Sequence, residues 1–547
     1  MDGEEIPQYS KEVAKGSFWN FLGNVAFKII SFIYVIIVAR AAAQEDVGLF
    51  YLSLSILNIF SVISDFGISG ALVRYIPYFE GKGESGKVKD LLRLSHLVLT
   101  VFGILLMSLL WWQASLIGSI YQNDKLPDAI RMFSAFILLN NLFRLYTQYI
   151  QGEADMKSLQ FIQNVQNALK LILTIIFFYF FGVSVLAIIG AFLISYLLAT
   201  IIAGVKVYQL DASISKPAIS LSRKEFLNEL VPLGITLAVI QSFSVIISSS
   251  DRLILGYLSD PSRSIETIAV YSIATTLASV LMIFPGTIGS VFLPLVSRLV
   301  GKNDLVQVRS IMETAQRWSL FITIPVGIIM IIFSSDMLTL FYGASYAAGG
   351  MAMSVFTLGL LFSSISYMAY LVLAAMRLIR IELGISIVGA IINLVLNIIL
   401  IPILGMEGAA LASAISFIIT MLLLQYYAER LFGFGFPSSI YKLFAAGIVT
   451  FLVLLLLKPS ISQFLPLAVK MESGDMQIYL SKFISLAYLG LLVGLSAIFF
   501  MFFGLLLKCL KKEDATLLKK ALQRIGAPQS IYVTAEKLAS YGVADQK

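Results

Sequence analysis

Four ionisable side chains lie deep inside long apolar segments of this chain: Lys28, Asp65, Arg144 and Lys170. A cation at that depth in a bilayer costs at least ~2.5 kcal/mol, so it is rarely tolerated without a partner, a water-filled cavity or a ligand. Asp65 can neutralise only one of the three cations. These residue types therefore predict a cationic, water-filled cavity for a polar, anionic substrate.

Each buried charge has polar neighbours at helical spacing, so each predicted helix presents one polar face. The neighbours are Asn20, Asn24 and Ser31 for Lys28; Asn58, Ser61 and Ser69 for Asp65; Asn140, Asn141, Thr147, Gln148 and Gln151 for Arg144; and Gln160, Gln163, Asn164, Asn167 and Thr174 for Lys170. Hydrogen bonding between helices is the alternative role for any single amide, at ~0.6 kcal/mol on average.

We predict that Lys28, Arg144 and Lys170 bind the anionic substrate and that Asp65 acts as their counter-ion. Arg74 lies nearer the inner surface, where it is either a further contact to the anion or a side chain that snorkels to the interface. In the second half, Asn393 and Asn397 share a face of one segment. Such amides suit sugar hydroxyls and equally suit ordinary packing between helices.

The composition assigns the chain to integral membrane proteins. Of its 547 residues, 59% are hydrophobic and 13% charged, with a mean hydropathy of +0.90. The single cysteine, Cys509, excludes an intrachain disulfide and a Cys-rich metal site. We find no catalytic constellation, and we expect neither an enzyme nor a metal, cofactor or nucleic-acid site.

The hydropathy pattern predicts an all-α, polytopic fold of about fourteen transmembrane helices. The predicted spans are 17–39, 47–76, 92–117, 129–151, 159–180, 184–206, 227–250, 266–297, 314–335, 350–376, 381–403, 407–429, 441–462 and 481–507. With both termini cytoplasmic, most of the 39 Lys and Arg residues fall in inner segments, as the positive-inside rule requires.

The two halves of the chain resemble each other. Four matched features, among them 47–56 with 268–277 and 181–183 with 404–406, recur about 220 residues apart. An even number of helices per copy predicts a parallel duplication with the substrate path between the repeats. The predicted organisation is a cytoplasmic N-terminus at 1–16, an N-lobe at 17–206, a linker at 207–226, a C-lobe at 227–429, two extra helices at 430–507 and a basic tail at 508–547.

Three stretches carry a family resemblance. Residues 15–56, residues 65–83 with the sequence DFGISGALVRYIPYFEGKG, and residues 393–416 resemble polysaccharide flippases of the Wzx type. These carriers belong to the multidrug/oligosaccharidyl-lipid/polysaccharide exporter superfamily. The resemblance implies a core of two six-helix lobes, two extra helices and alternating access to a central cavity. It also implies that the cargo is a glycan on a polyprenyl (pyro)phosphate, whose phosphates Lys28, Arg144 and Lys170, with Arg74, would bind.

Together, these observations predict a secondary carrier in the cell membrane that flips a lipid-linked oligosaccharide to the outer leaflet for surface-glycan biosynthesis. Its expected partners are the polyprenyl-phosphate-linked glycan, membrane lipids, and glycosyltransferases or a polymerase of the same pathway. One alternative is a cation-coupled multidrug exporter of the same superfamily, which would normally need acids in the cavity. The other is a non-transporting membrane scaffold for a glycan-assembly complex.

Overall fold

The computed structural model describes residues 5–213, 231–436, 438–464 and 475–509, and within these ranges all regular structure is helical. The α-helices in chain order are α1 Glu5–Ala41, α2 Gln44–Asp65, α3 Ile68–Gly81, α4 Ser85–Ile120, α5 Leu126–Phe133, α6 Ala135–Gly152, α7 Met156–Phe181, α8 Val185–Ser213, α9 Val231–Leu258, α10 Ser264–Ala278, α11 Ile283–Gly301, α12 Leu305–Ile332, α13 Ser334–Tyr342, α14 Gly350–Ala375, α15 Ile379–Leu404, α16 Met406–Phe432, α17 Ser438–Phe464 and α18 Asp475–Leu506. Short 3-10 turns at Ser279–Met282 and Ala344–Gly349 join α10 to α11 and α13 to α14.

The polytopic all-α fold predicted from the sequence is confirmed. Twelve helices in the described part of the chain are long and apolar enough to cross a bilayer. They correspond to twelve of the fourteen predicted spans. Of the other two predicted spans, 129–151 coincides with α5 and α6, and 227–250 overlaps most of α9.

The second predicted span, 47–76, is not one continuous helix. It is interrupted after Asp65, because Phe66 and Gly67 both adopt left-handed backbone conformations, with φ of 47° and 67°. A left-handed residue cannot continue a right-handed helix, so α2 ends there and α3 begins at Ile68. The break places the Asp65 carboxylate at a helix end.

The backbone also repeats between the two halves. Four positive-φ turn residues in the first half have positive-φ counterparts about 220 residues later. The pairs are Gly83 with Asn303, Gln122 with Gly343, Ala154 with Arg377, and Gly182 with Gly405. Because positive φ is uncommon for residues other than glycine, the recurrence is independent support for the duplication.

The chain divides into two compact units. The first comprises Met1–Ile273 and Ala390–Ala412, and the second comprises Ala274–Gly389 and Ser413–Lys547. The described part of the first unit contains α1 to α9, most of α10, the second half of α15 and the start of α16. The predicted boundaries of two lobes at 17–206 and 227–429 stay a prediction. Most of the predicted linker 207–226 and nearly all of the tail 508–547 lie outside the described residues.

Within the second unit, the two extra C-terminal helices are attached to α12. Lys458 of α17 donates a 2.7 Å hydrogen bond to the Ile332 carbonyl at the C-terminal end of α12. Ser496 of α18 donates a 3.0 Å hydrogen bond to the Pro325 carbonyl, two turns before the C-terminal end of α12. A cation at a helix C-terminus satisfies an unpaired carbonyl and the helix dipole together.

Candidate functional site

The helix break after Asp65 is stabilised by close packing against α9. A Cβ atom at Gly67 would lie 2.0 Å from the carbonyl oxygen of Gly234, so no larger residue fits without movement. Gly67 also needs its positive φ, which glycine adopts at little cost. The two glycines thus bring α9 against the break, and Gln241 follows two turns later on α9.

At this break the structure brings Asp65 and Arg144 together. Arg144 Nη2 lies 3.8 Å from Asp65 Oδ2, and the Asp65 side chain is only 1% exposed while that of Arg144 is 28% exposed. The same Nη2 donates a 2.7 Å hydrogen bond to Gln241 Oε1. Ser69 donates its hydroxyl to the other Asp65 oxygen. The predicted counter-ion is therefore beside a predicted phosphate-binding cation.

The pairing of Arg144 with Asp65 is loose. Charge-assisted N–H···O hydrogen bonds are about 2.7–2.9 Å long, and the 3.8 Å separation exceeds that. Asp65 Oδ2 is buried and accepts no hydrogen bond from the described residues. The partly exposed guanidinium therefore keeps capacity to bind a second anion.

Lys170 lies in an aromatic setting on α7. Its ammonium is 4.3 Å from the ring centroid of Tyr34 and 5.9 Å from that of Phe192. A desolvated cation over aromatic rings is stabilised by about 2 kcal/mol or more. Tyr34 and Phe192 come from α1 and α8, so three helices converge on the Lys170 charge.

The amides near Lys28 and Lys170 join α1 to α7. Gln160 of α7 donates a 2.7 Å hydrogen bond to Asn20 of α1, which also accepts a 3.1 Å hydrogen bond from Asn24 within α1. Asn167 of α7 donates to the Phe27 carbonyl at 2.8 Å and to the Ser31 hydroxyl at 2.7 Å. The contacts made by Gln160 and Asn167 are the interhelical hydrogen bonds considered as the alternative role for single amides.

Neither Lys28 nor Arg74 takes part in the ion pair of Asp65 and Arg144. Both side chains are exposed, and neither forms an ion pair or hydrogen bond with a residue that the structure describes. Asn58 is half-buried on α2, two turns before Asp65. The predicted residues therefore separate into a paired group at Asp65 and Arg144, an aromatic group at Lys170, and two exposed cations, Lys28 and Arg74, without an ion-pair partner among the described residues.

Asn393 and Asn397 hold a buried carboxylate, that of Asp251. Asn397 donates a 2.7 Å hydrogen bond to Asp251 Oδ1, Asn393 lies 3.3 Å from the same oxygen, and Tyr271 donates to Oδ2. Asp251 is 4% exposed and both asparagines are 0% exposed. The hydropathy pattern places Asp251 at the outer end of span 227–250. The structure places it inside α9 as a buried acid.

Arg317 is a second buried charge that the hydropathy pattern does not predict. Hydropathy places it at the inner end of span 314–335, among the basic residues of the inner segments, but α12 begins earlier, at Leu305. Arg317 therefore lies near the middle of α12 with an exposure of 0%. The only signal in the sequence is the helical spacing of Arg309, Glu313 and Arg317.

Comparison with known families gives two matches. Residues 13–300 match the family described as polysaccharide biosynthesis protein, and residues 232–399 match the MatE family. The first match covers more than half of the chain and includes Lys28, Asp65, Arg144 and Lys170.

Individual relatives span most of the chain. An uncharacterized membrane protein of Methanocaldococcus jannaschii is 22% identical over 449 residues, which are 79% of this chain and 87% of that protein. The probable low-salt glycan biosynthesis flippase Agl15 of Haloferax volcanii is 22% identical over 439 residues, 78% of this chain and 86% of that protein. The structure of the lipid II flippase MurJ in an inward closed conformation has a TM-score of 0.63 at 18% identity, covering 87% of this chain and 98% of that chain, so the fold is shared.

Proposed function

Since this chain belongs to the family of polysaccharide biosynthesis proteins, we propose that it flips an anionic, lipid-linked oligosaccharide across the cell membrane. It is a flippase-like, multi-pass transporter of the multidrug/oligosaccharidyl-lipid/polysaccharide exporter superfamily. The substrate, the alternating-access cycle, the cell-membrane location and the cytoplasmic termini belong to the proposal. The glycan crosses through the polar interior while the polyprenyl tail stays in lipid.

The observation that carries the proposal is the loose pairing of Arg144. Its guanidinium is partly exposed and separated by 3.8 Å from the one carboxylate beside it among the described residues. Arginine offers a planar fork of donors that matches phosphate oxygens bidentately. A phosphate can therefore bind Arg144 while Asp65 remains in place and limits how tightly it is held.

The other cations have supporting roles in this proposal. Lys28 is exposed without a protein partner among the described residues, so it contacts the carrier phosphate as a mobile point charge. Lys170 is held over Tyr34 and Phe192 and contributes positive potential from a fixed position. Arg74, exposed on α3, attracts the headgroup at the inner surface.

The two alternatives have less support. The MatE match over residues 232–399 is compatible with a drug exporter of the same superfamily, but Asp65 lies beside Arg144, which disfavours a cationic drug there. Charged side chains inside a membrane helix are energetically costly. A non-transporting scaffold has no use for the loosely paired Arg144 or for Lys170 that would offset this cost.

The test is a flipping assay in proteoliposomes with a fluorescent polyprenyl-diphosphate sugar, scored by quenching in the outer leaflet. Arg144→Ala and Lys28→Gln should each reduce flipping by about tenfold or more, since each removes a charge-assisted contact. Lys28→Arg should keep part of the activity. Arg131→Ala is the matched control: Arg131 lies on α5, where it pairs with Asp128 at 3.1 Å, and this variant should transport at the wild-type rate.

Unchanged flipping in both Arg144→Ala and Lys28→Gln would reject the proposed phosphate site. Tight binding of cationic dyes, with no binding of polyprenyl phosphate, would instead identify a drug exporter.

A further inference from the structure

Arg252 is a cation for which the proposed function has no role. The sequence places it outside the membrane, just beyond span 227–250. The structure places it within α9, which continues to Leu258. It is half-buried, and its surroundings come from three helices.

Three contacts fix the orientation of the guanidinium. Arg252 Nε donates a 3.0 Å hydrogen bond to the Ser272 hydroxyl on α10, and Nη1 donates a 3.1 Å hydrogen bond to the Ser248 carbonyl on α9. The guanidinium carbon lies 5.6 Å from the ring centroid of Tyr51 on α2. The group is thus held in place by neutral partners.

Arg252 forms no salt bridge within the part of the chain that the structure describes. The adjacent Asp251 carboxylate accepts from Asn397 and Tyr271 on the buried side of α9 and forms no ion pair with Arg252 among the described salt bridges. The Nη1 contact with Ser248 is at an exposed position. A guanidinium has five N–H donors. The contacts with Ser272 and Ser248 use one donor on Nε and one on Nη1, so three donors remain beyond the described contacts.

Arg252 is aligned with the Arg144 site along one helix. Gln241, Ser248 and Arg252 follow at spacings of seven and four residues, which places them on one face of α9. Gln241 holds Arg144 at 2.7 Å, and eleven residues of α-helix rise about 16 Å. One face of α9 therefore presents two cationic positions at different depths.

We propose that Arg252 is a second anion-binding site, which receives the phosphate of the substrate after it leaves Arg144. This inference rests on the proposed function and on the predicted orientation, in which α9 runs from the cytoplasm outward. The recognised chemistry is a phosphate monoester or diphosphate bound by the remaining N–H donors of the guanidinium. Ser272 and Tyr51 are positioning residues, because the Ser272 hydrogen bond and the Tyr51 ring hold the guanidinium in place.

The test uses a single cysteine one turn away from Arg252. Ser248 is exposed, and Cys509 is the sole cysteine of the chain, so Ser248→Cys in a Cys509→Ser background gives a unique thiol. Its reaction rate with N-ethylmaleimide is measured in the purified protein with inorganic phosphate, a polyprenyl phosphate or neutral polyprenol. Ser262→Cys, in an exposed turn, is the matched control.

We expect polyprenyl phosphate to slow labelling of Ser248→Cys by about threefold or more, with no effect of neutral polyprenol and no effect at Ser262→Cys. Arg252→Gln should abolish the protection, and Arg252→Lys should retain part of it, which guards against loss of folding as the explanation. Protection by inorganic phosphate as well would identify the headgroup alone as the ligand. Protection only by polyprenyl phosphate would show that the lipid tail contributes.

Labelling that is unaffected by either phosphate, or protection that persists in Arg252→Gln, would overturn this site. The proposed function is judged separately, from the dependence of polyprenyl phosphate binding on Arg144. If that dependence is found without protection at Ser248→Cys, only the second site fails. If Arg252-dependent protection is found without any role for Arg144, the second site stands and the proposed phosphate site fails.

Discussion

Arg144 Nη2 lies 3.8 Å from Asp65 Oδ2 and 2.7 Å from Gln241 Oε1, so the neutral amide, and not the carboxylate, makes the short contact. An ion pair inside a membrane protein would be much stronger if the carboxylate held the guanidinium directly. The loose arrangement leaves the arginine able to exchange a substrate anion. Its consequence is that the charge at position 241 should control substrate affinity.

Gln241→Glu places a carboxylate where the amide oxygen now accepts from Arg144. The new ion pair should compete with the substrate phosphate and weaken binding of polyprenyl phosphate by about tenfold, or about 1.4 kcal/mol. Gln241→Met has a similar volume without the charge and should bind at least as well as wild type. Thermal stabilisation by polyprenyl phosphate measures both. Equal affinity in Gln241→Glu and Gln241→Met would show that Arg144 does not contact the phosphate.

The predicted orientation can be tested with single cysteines in the Cys509→Ser background. Asp124→Cys and Ser262→Cys should react with a membrane-impermeant maleimide on intact cells, and Ser85→Cys should react only after the cells are opened. Asp124 is preferred to Asn123, whose side chain accepts hydrogen bonds from the backbone of Lys125 and Leu126. Labelling of Ser85→Cys on intact cells would reverse the topology and the direction of transport.

Much of the fold could be predicted because hydropathy and basic loops are local signals. The internal repeat could also be predicted from the sequence. The backbone supports it at pairs such as Gly83 and Asn303, which both have positive φ. The helix break at Phe66 and Gly67 was not predicted. It depends on two left-handed residues and on the contact of Gly67 with Gly234, which is distant in sequence.

The charged residues of the candidate site could be predicted from the sequence, but their contact partners could not. Periodicity placed Lys170 on a polar face, yet its partners Tyr34 and Phe192 lie on other helices, and no spacing rule connects them. The same limit applies to Gln241, which meets Arg144 only through tertiary packing. Arg317 was missed because the polar first turns of α12 resemble a loop when hydropathy alone is considered.

A pH-dependent stability is expected at the end of α6, outside the membrane span. Burial and the neighbouring Glu80 carboxylate raise the pKa of Glu153 from 4.5 to about 7, with the Asp211 carboxylate adding to the repulsion and the neighbouring Tyr149 hydroxyl opposing it. The folded protein therefore binds this proton more tightly than the unfolded chain does. The resulting stabilisation is complete below the unfolded pKa and is lost as the pH rises toward the folded value.

Thermal unfolding of the wild type should consequently move to lower temperature between pH 5 and pH 8, and Glu153→Gln should flatten that dependence. Glu84→Gln is the matched control, because Glu84 pairs with Lys87 at 3.2 Å in a separate ion pair. A wild-type slope that persists in Glu153→Gln would assign the pH dependence to other groups.

Asp65→Asn separates a flippase from a cation-coupled exporter. In an exporter, a lone buried acid would carry the proton or the cationic drug, so its removal should eliminate transport. In the flippase, Asp65 lies 3.8 Å from Arg144 and acts as its counter-ion. Removing the charge leaves the site more positive, so polyprenyl phosphate should bind at least as tightly and turnover should slow through poor release.

Binding and flipping are therefore measured on the same preparation of Asp65→Asn, with Ser61→Ala, on α2 one turn before Asp65, as a neutral comparison. Loss of polyprenyl phosphate binding in Asp65→Asn would contradict the counter-ion role, whereas intact binding with slower flipping is the outcome that the geometry at Asp65 and Arg144 requires.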